Sequence, residues 1–280
     1  PLPRAEARRA CVLAGVIGVL LAVVVAAGFL TADNLAVTVT IVLAVLIVYY
    51  FAVMLRSRKV SPDERRRVYG LIPVFLLNCV FWSLYQQQFT VVQVYAAQRV
   101  DLDILGWSMP PEFFNSAVPV FVILCTPVLV TVLAKLGPRE PSSTVKFLIG
   151  TILIGLAFLL FLPMTATSGP VNPPLALTGI LLVFTIAELF VSPIQLSLST
   201  QLAPQAFRTQ MVALWFLSTA AGSSAAGALA GLYTPRTEAI YFMITGATAL
   251  AAALLFAAVI PWVKRRTRIV ASVPSAAAAG

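Results

Sequence analysis

Eight long, almost uncharged stretches govern what this chain can become: about 11–30, 35–55, 69–93, 113–136, 147–163, 175–200, 211–233 and 239–262. A helix rises 1.5 Å per residue, so roughly 20 residues cross the ~30 Å hydrocarbon layer of a bilayer. Within lipid every backbone N–H and C=O must find an internal partner, which leaves only helices and closed barrels. These runs are continuously apolar and lack the two-residue alternation of a barrel strand, so they predict helices. Composition agrees: 60% of the 280 residues are hydrophobic and 10% charged, where soluble domains carry about 25% charged residues. The expected fold class is an all-α integral membrane protein with eight transmembrane helices.

The net charge of +9 could suggest nucleic acid, but its placement argues otherwise. Arg4, Arg8 and Arg9 precede the first span, and Arg56, Arg58, Lys59, Arg65, Arg66 and Arg67 follow the second. Lys135, Arg139 and Lys146 flank the connection after the fourth span, and Arg208 lies in the one after the sixth. Lys264, Arg265, Arg266 and Arg268 follow the last. With eight alternating helices all of these fall on one side, and only Arg99 and Arg236 on the other. Basic residues concentrate in cytoplasmic loops, so both termini are expected in the cytoplasm and the protein in the cell membrane. No nucleic-acid partner is implied.

Catalytic chemistry has little to work with. There is no histidine, which rules out a Ser-His-Asp triad. Cys11, Cys79 and Cys125 are dispersed through apolar spans, as buried small hydrophobes are. Metal, cofactor and enzymatic activity are therefore not expected. The first span is too long for a signal peptide and is not followed by a soluble domain. The chain opens with Pro1 rather than Met, which suggests a piece of a longer protein.

The sharpest internal boundary is "RSRKVSPDERRRV", residues 56–68, a basic cytoplasmic linker separating two spans from six. Residues 1–10 form a cytoplasmic end, 11–55 a helical hairpin around "TADN", 69–262 a six-helix bundle, and 263–280 a basic then disordered tail. The stretch 94–112 carries Asp101, Asp103 and Glu112 and reads as an external loop or short surface helix. Pro73, Pro119, Pro127 and Pro193 interrupt helical hydrogen bonding inside spans. Gly222, Ala226 and Ala230, like Gly227 and Gly231, recur at four-residue steps and predict close helix approach.

Against this background "AELFVSPIQLSLSTQLAP", residues 187–204, stands out. Glu188 is the one carboxylate far from both ends of a long apolar run. A charge near the bilayer centre costs about 2.5–3.5 kcal/mol on insertion scales, so the side chain must face protein or water. Ser192 follows one turn later on the same face, and Pro193 breaks the helix beside it. A carboxylate, a hydroxyl and a kink at one depth suit a cationic ligand; a glutamate that only ties helices together is the plainer alternative. In "NCVFWSLYQQQFT" Asn78, Trp82, Tyr85, Gln86 and Gln93 share one broad face of the third span. Trp215, Ser218 and Thr219 share a side of the seventh, with Phe216 adjacent. These faces read either as helix–helix contacts or as the wall of one wet cavity.

The segments "FWSLYQQQF", "FFNSAVPVFVILCTPVL", "ELFVSPIQLSLSTQLAP" and "RTQMVALWFLSTAAG", in this order and spacing, resemble the carboxy-terminal half of the proton-dependent oligopeptide transporters. That family belongs to the major facilitator superfamily. The resemblance covers about residues 69–262, and the preceding pair of spans looks like the accessory hairpin that bacterial members carry between their two six-helix halves. It implies that Glu188 binds a peptide's amino terminus, with Ser192 beside it. It also implies that Trp82, Trp215 and Phe216 line the substrate cavity. Two positions depart from the family: Gln86 stands where a proton-titrating glutamate is common, and Val118-Pro119 replaces Asn-Pro, with Asn115 one turn earlier as a candidate substitute.

The resemblance implies a secondary transporter of di- or tripeptides, or of related amino-bearing solutes, coupled to protons. Its partners are a small peptide, protons, the lipid bilayer and an amino-terminal six-helix half that this chain does not contain. The alternatives are transport of a non-peptide solute, or a non-transporting membrane fragment or interaction module.

Overall fold

The computed structural model describes residues 34–104, 106–166 and 173–267. The expected first span, the 1–10 end and the tail beyond residue 267 lie outside the described residues. The other seven expected spans are all helices long and apolar enough to cross a membrane. In chain order the elements are α1 (Leu35–Arg56), α2 (Pro62–Tyr85), a 3-10 turn (Gln86–Phe89) and α3 (Val91–Arg99). A two-stranded hairpin follows, β1 (Asp103–Ile104) and β2 (Trp107–Ser108), then α4 (Phe113–Leu136) and α5 (Ser143–Leu159). α6 (Pro174–Gln201), α7 (Arg208–Ala230) and α8 (Glu238–Thr267) complete the chain.

Two boundaries differ from the sequence reading, each for a local reason. The basic 56–68 stretch is not wholly a linker, because α2 starts at Pro62. The Ser61 hydroxyl accepts the Glu64 N–H, and the Glu64 carboxylate accepts the Ser61 N–H, with proline at the first turn. The second carboxylate oxygen of Glu64 accepts the Gln205 N–H at 2.9 Å, so the same side chain ties the start of α2 to the turn before α7. At the other end, 94–112 holds the end of α3 and then the hairpin, paired Asp103 with Ser108 and Ile104 with Trp107. Gly106 closes it at φ +80°, a left-handed conformation that glycine adopts without a Cβ penalty.

α2 is the hub. It packs on α7 and α8 and touches α5, while α5 and α6 pack face to face and α8 lies against α5. Small residues set the closest approaches. A Cβ on Gly222 of α7 would sit 2.6 Å from the Trp82 Cβ of α2, and one on Gly150 of α5 would sit 2.6 Å from a Val191 methyl of α6. No side chain fits there, so these helix pairs meet backbone to backbone. An aromatic cluster fills the core beside α3: Phe161 stacks on Phe242 at 4.4 Å, and Tyr95 meets both edge-on.

Two helices are left largely uncovered. α1 rests on α7, where Ser224 donates to the Ala36 carbonyl and accepts from Thr40. α4 packs mainly on α6, and its buried residues are Phe114 and Val118.

Candidate functional site at the α2–α6 seam

The carboxy-terminal end of α2 and the 3-10 turn after it carry an aromatic and amide run, Phe81 to Gln88, that is mostly enclosed by protein. Phe81, Trp82, Tyr85, Gln87 and Gln88 are buried, and Gln86 is half-buried. The helix changes to a 3-10 turn directly after Tyr85. That change aims consecutive glutamines at the same neighbour: Gln86 donates to the Ser223 hydroxyl at 2.9 Å, and Gln87 to the Ala226 carbonyl at 3.2 Å, both on α7. The side-chain amide of Gln88 is buried beside the Tyr85 phenol and makes no hydrogen bond of standard geometry among the described residues.

Glu188 lies opposite, near the middle of α6, and is half-buried. The Tyr85 phenol donates to its Oε2 at 2.5 Å. Two turns further along α6, Gln195 accepts the Trp82 indole N–H at 2.9 Å. Two polar bonds therefore cross one seam, each pairing an aromatic residue of α2 with an acceptor on the same face of α6. Ser192 sits between the two acceptors and makes no hydrogen bond among the described residues. No cation pairs with Glu188 among the described residues; the ion pairs there are Arg99–Glu238 and Lys146–Glu140. The seam thus holds a carboxylate with one oxygen occupied, a free hydroxyl and an aromatic wall, a donor-poor arrangement suited to an ammonium group.

The remaining expected residues lie elsewhere. Trp215 is 3% exposed and packs on Phe75 at 5.6 Å, with its indole N–H unpaired. Phe216, by contrast, is 66% exposed on the outer face of α7. It lines an open cavity of about 590 Å³ with Thr200, Arg208 and Val212. Neither this cavity nor the one of about 310 Å³ between α4 and α6 includes Glu188. Asn115 accepts from Gln93 at 2.8 Å, joining α4 to α3 rather than to the Glu188 seam. Val118 is buried.

Two participants, Gln195 and Ser223, were not singled out from the sequence, and the partner of a third, Tyr85, was not foreseen. Gln195 stands seven residues after Glu188, two turns on the same face, so helical periodicity could have found it. Ser223 was hidden inside a small-residue stripe read as packing. Tyr85 was placed on the polar face, but its pairing with Glu188 joins residues 103 positions apart, and no spacing rule reaches that far. No group of three or more His, Cys, Asp or Glu that could hold a metal ion occurs among the described residues.

Comparison with known proteins bears on this geometry. The model of the POT family matches residues 23–248. The uncharacterized transporter YclF of Bacillus subtilis (strain 168) is 34% identical over 255 residues, covering 90% of this chain and 52% of that protein. The di-/tripeptide transporter of Lactococcus lactis subsp. cremoris is 36% identical over 206 residues, 71% of this chain and 41% of that one. The crystal structure of peptide transporter POT in complex with sulfate superposes with a TM-score of 0.86 at 36% identity, over 95% of this chain and 55% of that one. A POT family transporter in complex with 5-aminolevulinic acid gives a TM-score of 0.82 at 31% identity, over 94% of this chain and 56% of that one. The chain spans about half the length of the relatives it matches.

Proposed function

Because the chain belongs to the POT family, we propose that it is the carboxy-terminal half of a proton-coupled transporter of di- and tripeptides or related amino-bearing solutes. The observation that carries this reading is Glu188: a carboxylate in mid-span, with one oxygen occupied by a phenol and no cation beside it. A substrate ammonium would supply the missing charge. In this reading the two halves of the complete transporter rock about a midplane site, and α2 and α6 carry this half's share of it. The facing six-helix half would supply cations for the substrate carboxylate. No bond is made or broken in the cargo, so the activity is translocation rather than catalysis. The distribution of Lys and Arg supports a plasma-membrane orientation with both termini cytoplasmic.

Proton coupling, in this reading, does not run through Gln86. An amide cannot titrate, and this one serves as a strut to Ser223 on α7. Glu188, or groups in the facing half, would carry the proton. A second reading keeps the transporter and changes the cargo to a non-peptide amine. The apolar Val118 and the outward role of Asn115 favour it, since neither offers an amide to a peptide backbone at the seam. The 5-aminolevulinic acid in a related structure is a ligand of that kind.

The test is uptake into proteoliposomes by the full-length gene product and its Glu188→Gln variant. Free dipeptides, amino-blocked dipeptides and simple amino acids without a peptide bond would be compared. Loss confined to free-amino substrates supports the reading. Equal loss for free and blocked substrates would remove the amino-terminus role of Glu188, and a parent that takes up the simple amino acids but not dipeptides would favour the second cargo.

A further inference from the structure

We propose that Tyr85 is the positioning residue of Glu188, dividing its carboxylate into one fixed oxygen and one oxygen reserved for the substrate ammonium. The proposal rests on the reading of Glu188 given above and deepens it. A glutamate side chain has three rotatable bonds, and one that is half-buried without a partner would spread over several rotamers. Here the phenol O–H is donated to Oε2. A phenol has a single proton to give, so this bond commits it, and Oε1 is left as the carboxylate's free acceptor. The Ser192 hydroxyl, one turn along the same face, adds a second acceptor. Together they define where an N–H group must point.

The phenol can hold the carboxylate in place because Tyr85 is itself locked. It is 4% exposed. Phe81 stacks along its ring at 5.8 Å, Trp82 meets it edge-on at 5.4 Å, and Phe184 of α6 closes the far side at 6.3 Å. The backbone is fixed as well, since the turn that follows Tyr85 is tied to α7 through Gln86 and Gln87. The Trp82–Gln195 bond keeps α2 and α6 in register two turns away. A rigid donor on one helix thus sets the geometry of a flexible acceptor on another, and the binding group arrives pre-organised. In the sequence, the residue facing Glu188 is the tyrosine directly before the run of three glutamines.

Tyr85→Phe tests this cleanly, because it removes one oxygen and leaves the ring to pack as before. Uptake by the full-length gene product would be measured for a free dipeptide and its amino-acetylated analogue, with Tyr85→Phe, Glu188→Gln and the parent side by side. The expected result for Tyr85→Phe is a rise of several-fold, up to roughly tenfold, in KM for the free dipeptide, the order expected when binding must order one mobile side chain. Its maximal rate and its uptake of the acetylated analogue should stay at parental values, and its melting temperature should fall only by what the loss of one hydrogen bond costs. Equal weakening of both substrates would make Tyr85 a packing residue and overturn the proposal. So would an unchanged KM in Tyr85→Phe while Glu188→Gln discriminates free from blocked substrate; in that case the role of Glu188 stands. If Glu188→Gln fails to discriminate, the parent reading falls and this one with it.

Discussion

Gly222 and Gly227 stand five residues apart on α7 and offer a matched pair of Gly→Ala substitutions. At Gly222 the added Cβ would lie 2.6 Å from the Trp82 Cβ, 3.0 Å from the Cys79 carbonyl oxygen and 3.0 Å from the Ser83 nitrogen. Carbon atoms rest at about 3.5–4.0 Å, and two of these three neighbours are backbone that no rotamer change can move. α2 and α7 must separate by about 1 Å, an overpacking cost of roughly 1–3 kcal/mol. The same separation carries the Gln86–Ser223 and Gln87–Ala226 bonds, now 2.9 and 3.2 Å, out of hydrogen-bond range. Each is worth about 1 kcal/mol net. Alanine returns about 1 kcal/mol of helix propensity, so Gly222→Ala should lose roughly 2–4 kcal/mol in all, on the cited overpacking, hydrogen-bond and propensity magnitudes. At Gly227 the nearest atom is the Ala36 Cβ at 3.5 Å, an ordinary contact. Gly227→Ala should therefore be neutral or stabilising by up to about 1 kcal/mol. Melting in detergent by tryptophan fluorescence reads both variants against the parent. If Gly222→Ala melts as high as Gly227→Ala, close backbone approach does not hold α2 to α7.

Other expectations follow from the same geometry. Glu238→Gln removes the carboxylate that pairs bidentately with Arg99, their side chains being 5% and 16% exposed. The loss should be about 1.5–3 kcal/mol, the range for hydrogen bonds to a charged group, which chemical denaturation would reveal. Gln86→Glu introduces a titratable group at a position where Ser223 already donates to the Thr219 carbonyl. The pH dependence of uptake should change, and an unaltered profile would show that a carboxyl group placed at this position does not reach the transport cycle. Trp82→Phe keeps the ring contact with Tyr85 but frees Gln195; a stability loss of about 0.5–1.5 kcal/mol is expected, and no measurable loss would show that the second seam bond contributes nothing.

How much of this was legible in the sequence depends on the range of the interaction that decides each feature. The seven spans among the described residues and the exceptional place of Glu188 follow from the cost of polar groups in hydrocarbon, a property of each segment alone. The small-residue stripe on α7 was legible too, although the sequence could not say that Gly222 meets Trp82 while Gly227 meets Ala36. Helix starts and breaks were less visible: α2 gains about two turns from the Ser61–Glu64 cap inside a basic stretch, and it breaks after Tyr85 without a proline or glycine. The aim of individual side chains was the least legible part. Trp215 and Phe216 are neighbours in sequence, yet one is enclosed against Phe75 and the other faces outward, because adjacent helical residues point about 100° apart and only the packing of α7 on α2 decides which turns inward. The same logic explains Tyr85. A polar face on α2 and a carboxylate on α6 are each readable alone, and their union is fixed only when Gly222 lets α7 close on α2 and the Trp82–Gln195 bond sets α6 in register. The site is therefore a property of three packed helices, and a change that loosens α7 from α2 should reach Glu188 without touching it.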